Sequence, residues 1–363
     1  MFRPAGASSA PTLFAGQSLS YVYRDRTIPY IAQYSAGFQH ELPWQTVIDV
    51  SYVGSQTREL GVSRNINDLS AEQLALGTTY LNTSVPNPMQ GLFPGTALNG
   101  ATVTRRTLLL PFPQYGDVTR TQYPIGKGWY NSLQLQVEKR LSHGFHVLLN
   151  YTWSTTMEAS NYLHNQLTDD QLERARVSED LPHSLSIMGG YQLPFFHSAR
   201  GWKLALFGGW QVQAIAQKTS GRQLNGVDAY WTGVDPFLSG RKVPDGQYFN
   251  PCTINRQGVR ENCASADQPV AWVQRPADTL RVASSRWSQI REMRPMLVNS
   301  SVFKTFNVTE RVRAQFRLEA FNTFNTPWFG QANTTLGNNR FGLLGNSQTN
   351  DPRNTQAALK INF

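Results

Sequence analysis

Three aromatic residues, Tyr230, Trp231 and Trp272, fall in one polar stretch of this sequence, and flat rings on an exposed loop suit stacking against a ligand. The same stretch holds both cysteines, Cys252 and Cys263, with ten residues between them. A bridge at that spacing is sterically easy, would stabilise the loop by roughly 3 kcal/mol on loop-entropy grounds, and would imply an oxidising compartment such as periplasm or cell surface. Two unrelated thiols are the other reading. Catalytic chemistry finds little support. His143 and His146 lie three apart beside a turn and would point to opposite faces of a strand, so they do not share a metal. Asp169, Asp170, Glu173, Glu179 and Asp180 crowd one loop with Arg174 and Arg176. Solvated loop charge is preferred there to a cation site. Gly126-Lys127-Gly128 lacks the strand-then-helix setting of a phosphate loop. Gly-x-Ser-x-Gly, Cys-x-x-Cys and His-Glu-x-x-His are absent, so the expectation is a non-enzyme with no cofactor and no metal.

Composition narrows the elements that position these residues. At 363 residues, one large or two ordinary domains fit. No run of eighteen apolar residues occurs, so a spanning helix is excluded and any membrane segment must be a strand. Aromatic residues make up 12% and charged residues 16%, the latter against roughly 25% in soluble domains. That balance suits a sheet with one face in lipid. The net charge of +9 comes from arginines scattered singly or in pairs such as Arg105 and Arg106. Without a basic helix or dense cluster, nucleic acid is not an expected partner. A positive barrel interior or contact with anionic lipopolysaccharide accounts for the same excess.

Period-two alternation dominates the chain. In 32–42 the apolar row Ala32, Tyr34, Ala36, Phe38 and Leu42 opposes Gln33, Ser35, Gly37, Gln39 and Glu41. A turn at Pro43 and Trp44 leads to Ile48, Val50 and Tyr52, opposite Asp49 and Ser51, which reads as a hairpin. Leu133, Leu135 and Val137 alternate with Gln134, Gln136 and Glu138. After Ser142, His143 and Gly144, a second row of Phe145, Val147, Leu149, Tyr151 and Trp153 follows. Further strands are expected over 183–193, 203–217, 296–305, 311–322 and 353–363, with weaker ones near 102–110 and 117–123. In 203–217 the faces of Phe207 and Ile215 are ambiguous, and 296–305 gives no face assignment.

Loop lengths alternate. Short connections at 142–144, 194–202 and around Asn307 interleave with long ones at 155–182, at 218–294 and after Thr326. Up-and-down membrane barrels keep this parity, with short periplasmic turns and long extracellular loops. The apolar rows of 133–137 and 145–153 carry no charge, whereas the row opposite Val312 to Ala320 is Arg313, Gln315, Arg317 and Glu319. That row suits a wet lumen, although a half-exposed soluble sheet alternates too. Trp44, Trp129, Trp153, Trp202, Trp210 and Trp328 fall near strand ends, where interfacial girdle anchors are preferred to ligand stacking. The fold expected is all-β, an antiparallel up-and-down transmembrane β-barrel portion with about eleven or twelve strands by the strand criteria.

The last strand places Thr355, Ala357, Leu359, Ile361 and Phe363 on one face and ends on an aromatic. Leu359, Ile361 and Phe363 there resemble the assembly signal read by the barrel-insertion machinery. Other matches are Ser51-Tyr52-Val53-Gly54-Ser55, Val85-Pro86-Asn87-Pro88, Pro111-Phe112-Pro113-Gln114-Tyr115-Gly116, the run from Tyr130 to Arg140, and Asn150-Tyr151-Thr152-Trp153-Ser154. Leu181-Pro182-His183, Gly208-Gly209-Trp210-Gln211 and the run from Phe316 to Asn325 complete the set. In order and spacing, over about 29–363, the chain resembles the C-terminal half of the barrel of Oar-like TonB-dependent transporters, receptors that often carry a carboxypeptidase-regulatory-like domain.

The resemblance implies a Gram-negative outer-membrane receptor that imports a peptide, siderophore or saccharide with energy from the TonB, ExbB and ExbD complex. Its implied partners are outer-membrane lipid, lipopolysaccharide and the barrel-assembly machinery. The TonB complex joins them only where a plug domain lies upstream. Family members have a signal peptide, a TonB box and a plug ahead of the barrel, and this sequence contains none of these. Residues 1–28 read as an N-terminal segment with room for a partial strand, and 29–363 as barrel. The start, Met1 to Phe14, lacks a secretory signal, which fits a start inside a longer reading frame or a fragment. Such transporters have about twenty-two strands, so the chain either closes a smaller barrel or forms an open sheet with exposed edges. Loops 155–182 and 218–294 are the expected ligand-capture elements. The rival readings are a secreted carbohydrate-binding β-sandwich and a passive porin-like channel.

Overall fold

A computed structural model describes residues 14–196, 200–236 and 247–363. The first residues of the N-terminal segment, and parts of the 194–202 and 218–294 connections, lie outside the described residues. Nine long strands form an antiparallel meander in which each pairs with its neighbours in sequence. They are β1 Tyr30–Leu42, β2 Thr46–Asn65, β3 Val118–Ser142, β4 Phe145–Asn161 and β5 His183–Gln192. After these come β6 Trp210–Thr219, β7 Leu297–Asn307, β8 Arg313–Phe321 and β9 Asn354–Asn362. Two short strands complete an eleven-stranded sheet: Leu19–Val22 runs parallel to the start of β3, and Glu173–Arg176 continues the wall above β5 on the flank of β4. The sheet is open among the described residues, because β1 and β9 end the path without pairing to each other. Every residue of both end strands is exposed.

Register aligns the alternating rows into two continuous faces. On one face Phe38, Val50, Leu135, Tyr151 and Leu185 lie side by side across five strands. Ile48, Val137, Leu149, Ile187, Ala216 and Val298 form the next row toward the short turns. At the far end of the sheet, Val302, Leu318 and Ala357 continue the pattern. The opposite face carries Gln39, Asp49, Gln136 and Asn150 in one row, and Gln213, Ser301 and Glu319 in another. A one-residue slip in any strand would exchange the two faces, so the pattern fixes the register. Tyr34 lies across Gly54 on the apolar face, where a Cβ on the glycine would meet the ring at 2.3 Å. The ring thereby covers the gap a missing side chain leaves.

Connections at one end are 43–45, 143–144, 193–209 and 308–312, and at the other 66–117, 162–182, 220–296 and 322–353. The parity expected from the sequence therefore runs through the whole meander.

Several strand expectations need correction. Segments 117–123 and 133–138 belong to one strand, β3, which extends past any membrane thickness and pairs with β2 through bulges beyond Thr57. Only Thr102–Thr104 of 102–110 is strand. Arg105–Leu108 turns helical, with the Thr104 hydroxyl capping Thr107 N–H at 3.4 Å. The expected strand 203–217 begins only at Trp210, because Trp202–Phe207 is a short helix. This helix explains the ambiguous faces. Phe207 belongs to the helix, while Ile215 points to the polar face with Gln211 and Gln213. Gly126 and Gly128 lie inside β3, and Gly126 leaves no room for a Cβ beside Leu60 (2.8 Å).

The register also assigns β7. Val298, Val302 and Phe306 share the apolar face with Lys304, whose row contains Trp210, Phe316 and Leu359. Lys304 is 4% exposed. Its ammonium donates to the carbonyl of Leu204 (3.1 Å) and to that of Gly208, so the short helix lies against the apolar face and covers the charge. A cation on an apolar wall is tolerated when its donors are satisfied.

Candidate functional site

The long connections build a cap over one end of the sheet, and this cap has its own core. Leu224, Val227, Phe249, Trp272, Ile290 and Phe341 are buried together, drawn from the 220–296 and 322–353 connections. Trp272 and Trp287 meet edge to face at 4.7 Å, and Phe249 contacts Trp287 at 5.1 Å and Phe341 at 5.3 Å in the same manner. These are favoured geometries for aromatic quadrupoles. A small sheet frames the cluster: Ala229–Trp231 pairs with Trp272–Gln274, which pairs with Thr253–Ile254, which pairs with Arg260–Glu261. Cys252 and Cys263 are joined by a disulfide across this hairpin.

The expected ligand-stacking residues come together, but not in equivalent roles. Trp231 and Trp272 are cross-strand partners, and Tyr230 is the neighbour of Trp231. Trp231 is 51% exposed, with its indole N–H donating to Val234 O at 2.6 Å. Trp272 is 4% exposed, and its N–H donates to Asn250 O at 2.8 Å. Trp272 is therefore part of the cap core, and of the three ligand-loop candidates only Tyr230 and Trp231 present exposed rings. As cross-strand partners the Trp231 and Trp272 indoles share one face of the small sheet, and Trp272 is buried because Phe249 and Phe341 pack against it. Tyr230, Trp231 and the edges of Trp272 and Trp287 line a cavity of about 410 Å³, together with Ser284, Arg286 and Gln289. A second cavity of about 650 Å³ lies where the cap meets the wall, lined by Lys218, Tyr248, Arg291, Glu292, Arg294 and Phe329 among others. Trp287 and this second cavity were not legible in the sequence, since both depend on contacts between distant connections.

Carboxylates fix the connections to one another. Asp180 is 1% exposed and receives Arg176 and Arg291, each at 2.9 Å, and the Thr156 backbone N–H at 2.8 Å. Asp169 receives Arg64 at 2.9 Å and Arg120 at 2.5 Å, and accepts from the Tyr162 hydroxyl at 3.0 Å. Hydrogen bonding from Arg120, aided by Tyr162 and Arg64, holds the Asp169 carboxyl down at about 2 against the opposing effect of its burial. Burial, with the hydrogen bond to Asp169, raises the Tyr162 phenol to about 12. Glu173 accepts from the Ser284 hydroxyl (2.6 Å) and from the backbone and hydroxyl of Ser285 (2.8 and 2.5 Å), joining the 162–182 and 220–296 connections. Arg106 pairs with Asp278, joining the 66–117 connection to 220–296. The expectation of solvated loop charge is thus corrected for Asp169, Glu173 and Asp180, which are fully engaged.

The remaining candidates are scattered. Trp44 (79% exposed) and Trp202 (64%) lie at the short-turn end, and Trp153 (56%) lies on the apolar face near the cap. Trp129 and Trp210 share that face by register. Trp328 belongs to the 322–353 connection, with the Arg294 guanidinium 3.8 Å above its ring. His143 sits in the β3–β4 turn, and His146 lies on the polar face over Gly190. Leu359, Ile361 and Phe363 are exposed at the free edge of β9 or just beyond it.

A family model described as an outer membrane beta barrel domain matches residues 1–356. A search of curated proteins returns no match. Among solved structures, the outer membrane transporter YddB from Escherichia coli aligns at a TM-score of 0.42 and 9% identity, over 96% of this chain and 34% of that one. The ferric-catecholate import receptor Fiu from E. coli K12 aligns at 0.38 and 9%, over 93% and 28%. The ferripyoverdine receptor of the Pseudomonas aeruginosa outer membrane aligns at 0.37 and 11%, over 92% and 27%. The chain thus spans about a third or less of the length of these structures.

Proposed function

Because this chain belongs to the outer membrane β-barrel domain family and so resides in the outer membrane of a Gram-negative bacterium, we propose that it supplies wall and ligand-capturing cap to a TonB-dependent import receptor of the Oar-like type. The observation that carries the proposal is the cap. Long connections from one end of the sheet fold into a framed aromatic core that leaves a cavity of about 410 Å³ beside Tyr230 and Trp231. A passive channel has no need of such a rigid, disulfide-bound structure over its mouth. Below the cap the polar face offers Gln136, Asn150, Gln213, Arg317 and Glu319, groups suited to a wet pathway. In this reading Tyr230 and Trp231 stack on the arriving ligand, while Arg286 and Gln289 supply hydrogen bonds. The chain's role is binding and passage, with no chemical step.

Nutrient-limited growth tests the proposal. Cells producing the intact protein are supplied separately with siderophores, oligopeptides and oligosaccharides as sole source of the limiting nutrient. Uptake of one class is expected, abolished by loss of TonB and reduced at least tenfold by a Tyr230→Ala, Trp231→Ala double substitution. Uptake that survives without TonB would establish the passive channel instead.

A further inference from the structure

Arg58, Trp129 and Arg174 come from three strands, β2, β3 and Glu173–Arg176, and converge on one ring. The guanidinium carbons of Arg58 and Arg174 lie 5.6 and 5.0 Å from the Trp129 centroid. Register places this cluster on the apolar face. Trp129 pairs with Gln56 and Met157, Arg58 pairs with Tyr30, and along β3 the same face runs Val137, Leu135, Leu133, Asn131, Trp129 and Lys127.

Height is set by strand geometry. Phe145 opens β4 at the short turn, and Met157, the partner of Trp129, stands twelve residues further along. At about 3.3 Å per residue that is roughly 40 Å of strand, or roughly 30 Å of height at a tilt of about 40°, against an apolar band of about 25 Å. The cluster therefore sits just above the hydrocarbon, at the headgroup level of the outer leaflet and outside the lumen.

Among the described residues its charges are unmatched. Arg64 and Arg120 are paired with Asp169, Arg176 and Arg291 with Asp180, Arg275 with Asp228, and Arg286 with Glu158. Among the described residues no ion pair involves Arg58, Lys127 or Arg174. The neighbouring carboxylates are committed elsewhere, Glu173 to Ser284 and Ser285 and Glu158 to Arg286 and Ser160. Arg58 donates to the Gln56 side chain (2.6 Å) and Thr57 O (3.2 Å), which leaves part of its five-donor fork free. Stacking on an indole holds a guanidinium plane in place while its edge stays available, and that edge matches a phosphate bidentately. Two such groups and an ammonium gathered without a counter-anion repel one another until an anion arrives.

We propose that Arg58, Trp129 and Arg174, with Lys127, form a binding site for the phosphate groups of the glycolipid that fills the outer leaflet. The lipid's acyl chains would then lie along Leu133, Leu135 and Trp153, which continue the same face downward. This assignment rests on the outer-membrane placement and is independent of what the receptor imports.

Binding is measured on the intact protein in nanodiscs, with bisphosphorylated lipid A as probe and enzymatically dephosphorylated lipid A, phosphatidylglycerol vesicles and inorganic phosphate as comparisons. The double substitution Arg58→Gln, Arg174→Gln is expected to weaken lipid A binding at least tenfold, and removal of the lipid's phosphates to do the same. Arg311→Gln, which removes one charge at the short-turn end, should leave binding unchanged. Arg174→Gln alone, at an exposed position, is expected to cost several-fold and decides the matter should the double variant fail to show the heat-shifted gel mobility of a folded barrel. Unaltered lipid A binding by the substituted protein would overturn the proposal. Competition by inorganic phosphate at equal concentration would overturn the lipid assignment in favour of a soluble anion.

Discussion

Apolar side chains have opposite fates in the wall and in the cap. In the wall Leu133 is 43% exposed, Trp153 56%, Leu318 47% and Leu359 66%, yet these residues form ordered rows with no second layer of the described residues against them. In the cap Phe249 and Ile290 are fully buried, and Leu224 and Phe341 are 1% exposed. The difference follows from the surrounding solvent. Lipid tails accept an apolar row without cost, so the wall needs only hydrogen-bonded strands. The cap projects into water and must build a core from its own sequence. It also takes a disulfide where the hairpin of Thr253–Ile254 and Arg260–Glu261 is too short to hold itself.

Substitutions can break this contrast. The largest effect is expected for Phe249→Ala, which empties the centre of the cap cluster. A loss of about 3–5 kcal/mol is typical of a buried Phe, and it should appear as rapid protease cleavage within 220–296 while the heat-shifted gel mobility of the wall is retained. Next comes Leu135→Arg, a charge at mid-height on the lipid side, with a cost of about 2–4 kcal/mol. The neighbouring Gln136→Arg, on the wet face, should be near neutral in the same urea titration of the lipid-reconstituted protein. Equal costs at the two positions would erase the distinction between faces. Replacing Cys252 and Cys263 by serine is expected to destabilise the cap by about 3 kcal/mol, read as earlier proteolysis of the hairpin without change in the wall.

The smallest effect concerns Asp169. Its carboxyl is depressed to about 2 in the folded protein, so its contribution is present above the ordinary carboxylate range and is lost as pH falls through the folded value. With a side chain 35% exposed, solvent screening keeps this modest. Measured against an unfolded reference peptide at the same pH, pepsin should cut 162–172 relatively faster at pH 2 than at pH 4, and Asp169→Asn should abolish that relative difference.

The two regions were also unequally legible. Alternation in 32–42, 133–138 and 145–153 gave strands and faces directly, because one repeating solvent contrast acts on every second residue. The pattern failed at Trp202–Phe207, where Lys203, Leu204, Ala205 and Leu206 favour helix and are all exposed, so no period-two signal forms. Lys304 could not be assigned a face because the carbonyls that accept from its ammonium, those of Leu204 and Gly208, come from that helix and its C-terminal end, about a hundred residues away in sequence. In the cap, nothing local distinguishes exposed Trp231 from buried Trp272. Their roles are set by Asn250, Phe249 and Phe341, contributed by other parts of the connections. The same holds for Asp180, an ordinary loop acid in sequence that becomes the buried partner of two arginines.

Spin labels placed one at a time from Leu133 to Glu138 and from Phe145 to Trp153, in the intact protein in bilayers, test the lipid-facing wall most directly. Accessibility to dissolved oxygen should peak at Leu133, Leu135, Val137, Val147, Leu149 and Tyr151, and accessibility to a water-soluble nickel chelate at Gln134, Gln136, Glu138, Leu148 and Asn150. Low accessibility to both reagents along the apolar row would place protein against it and contradict the account.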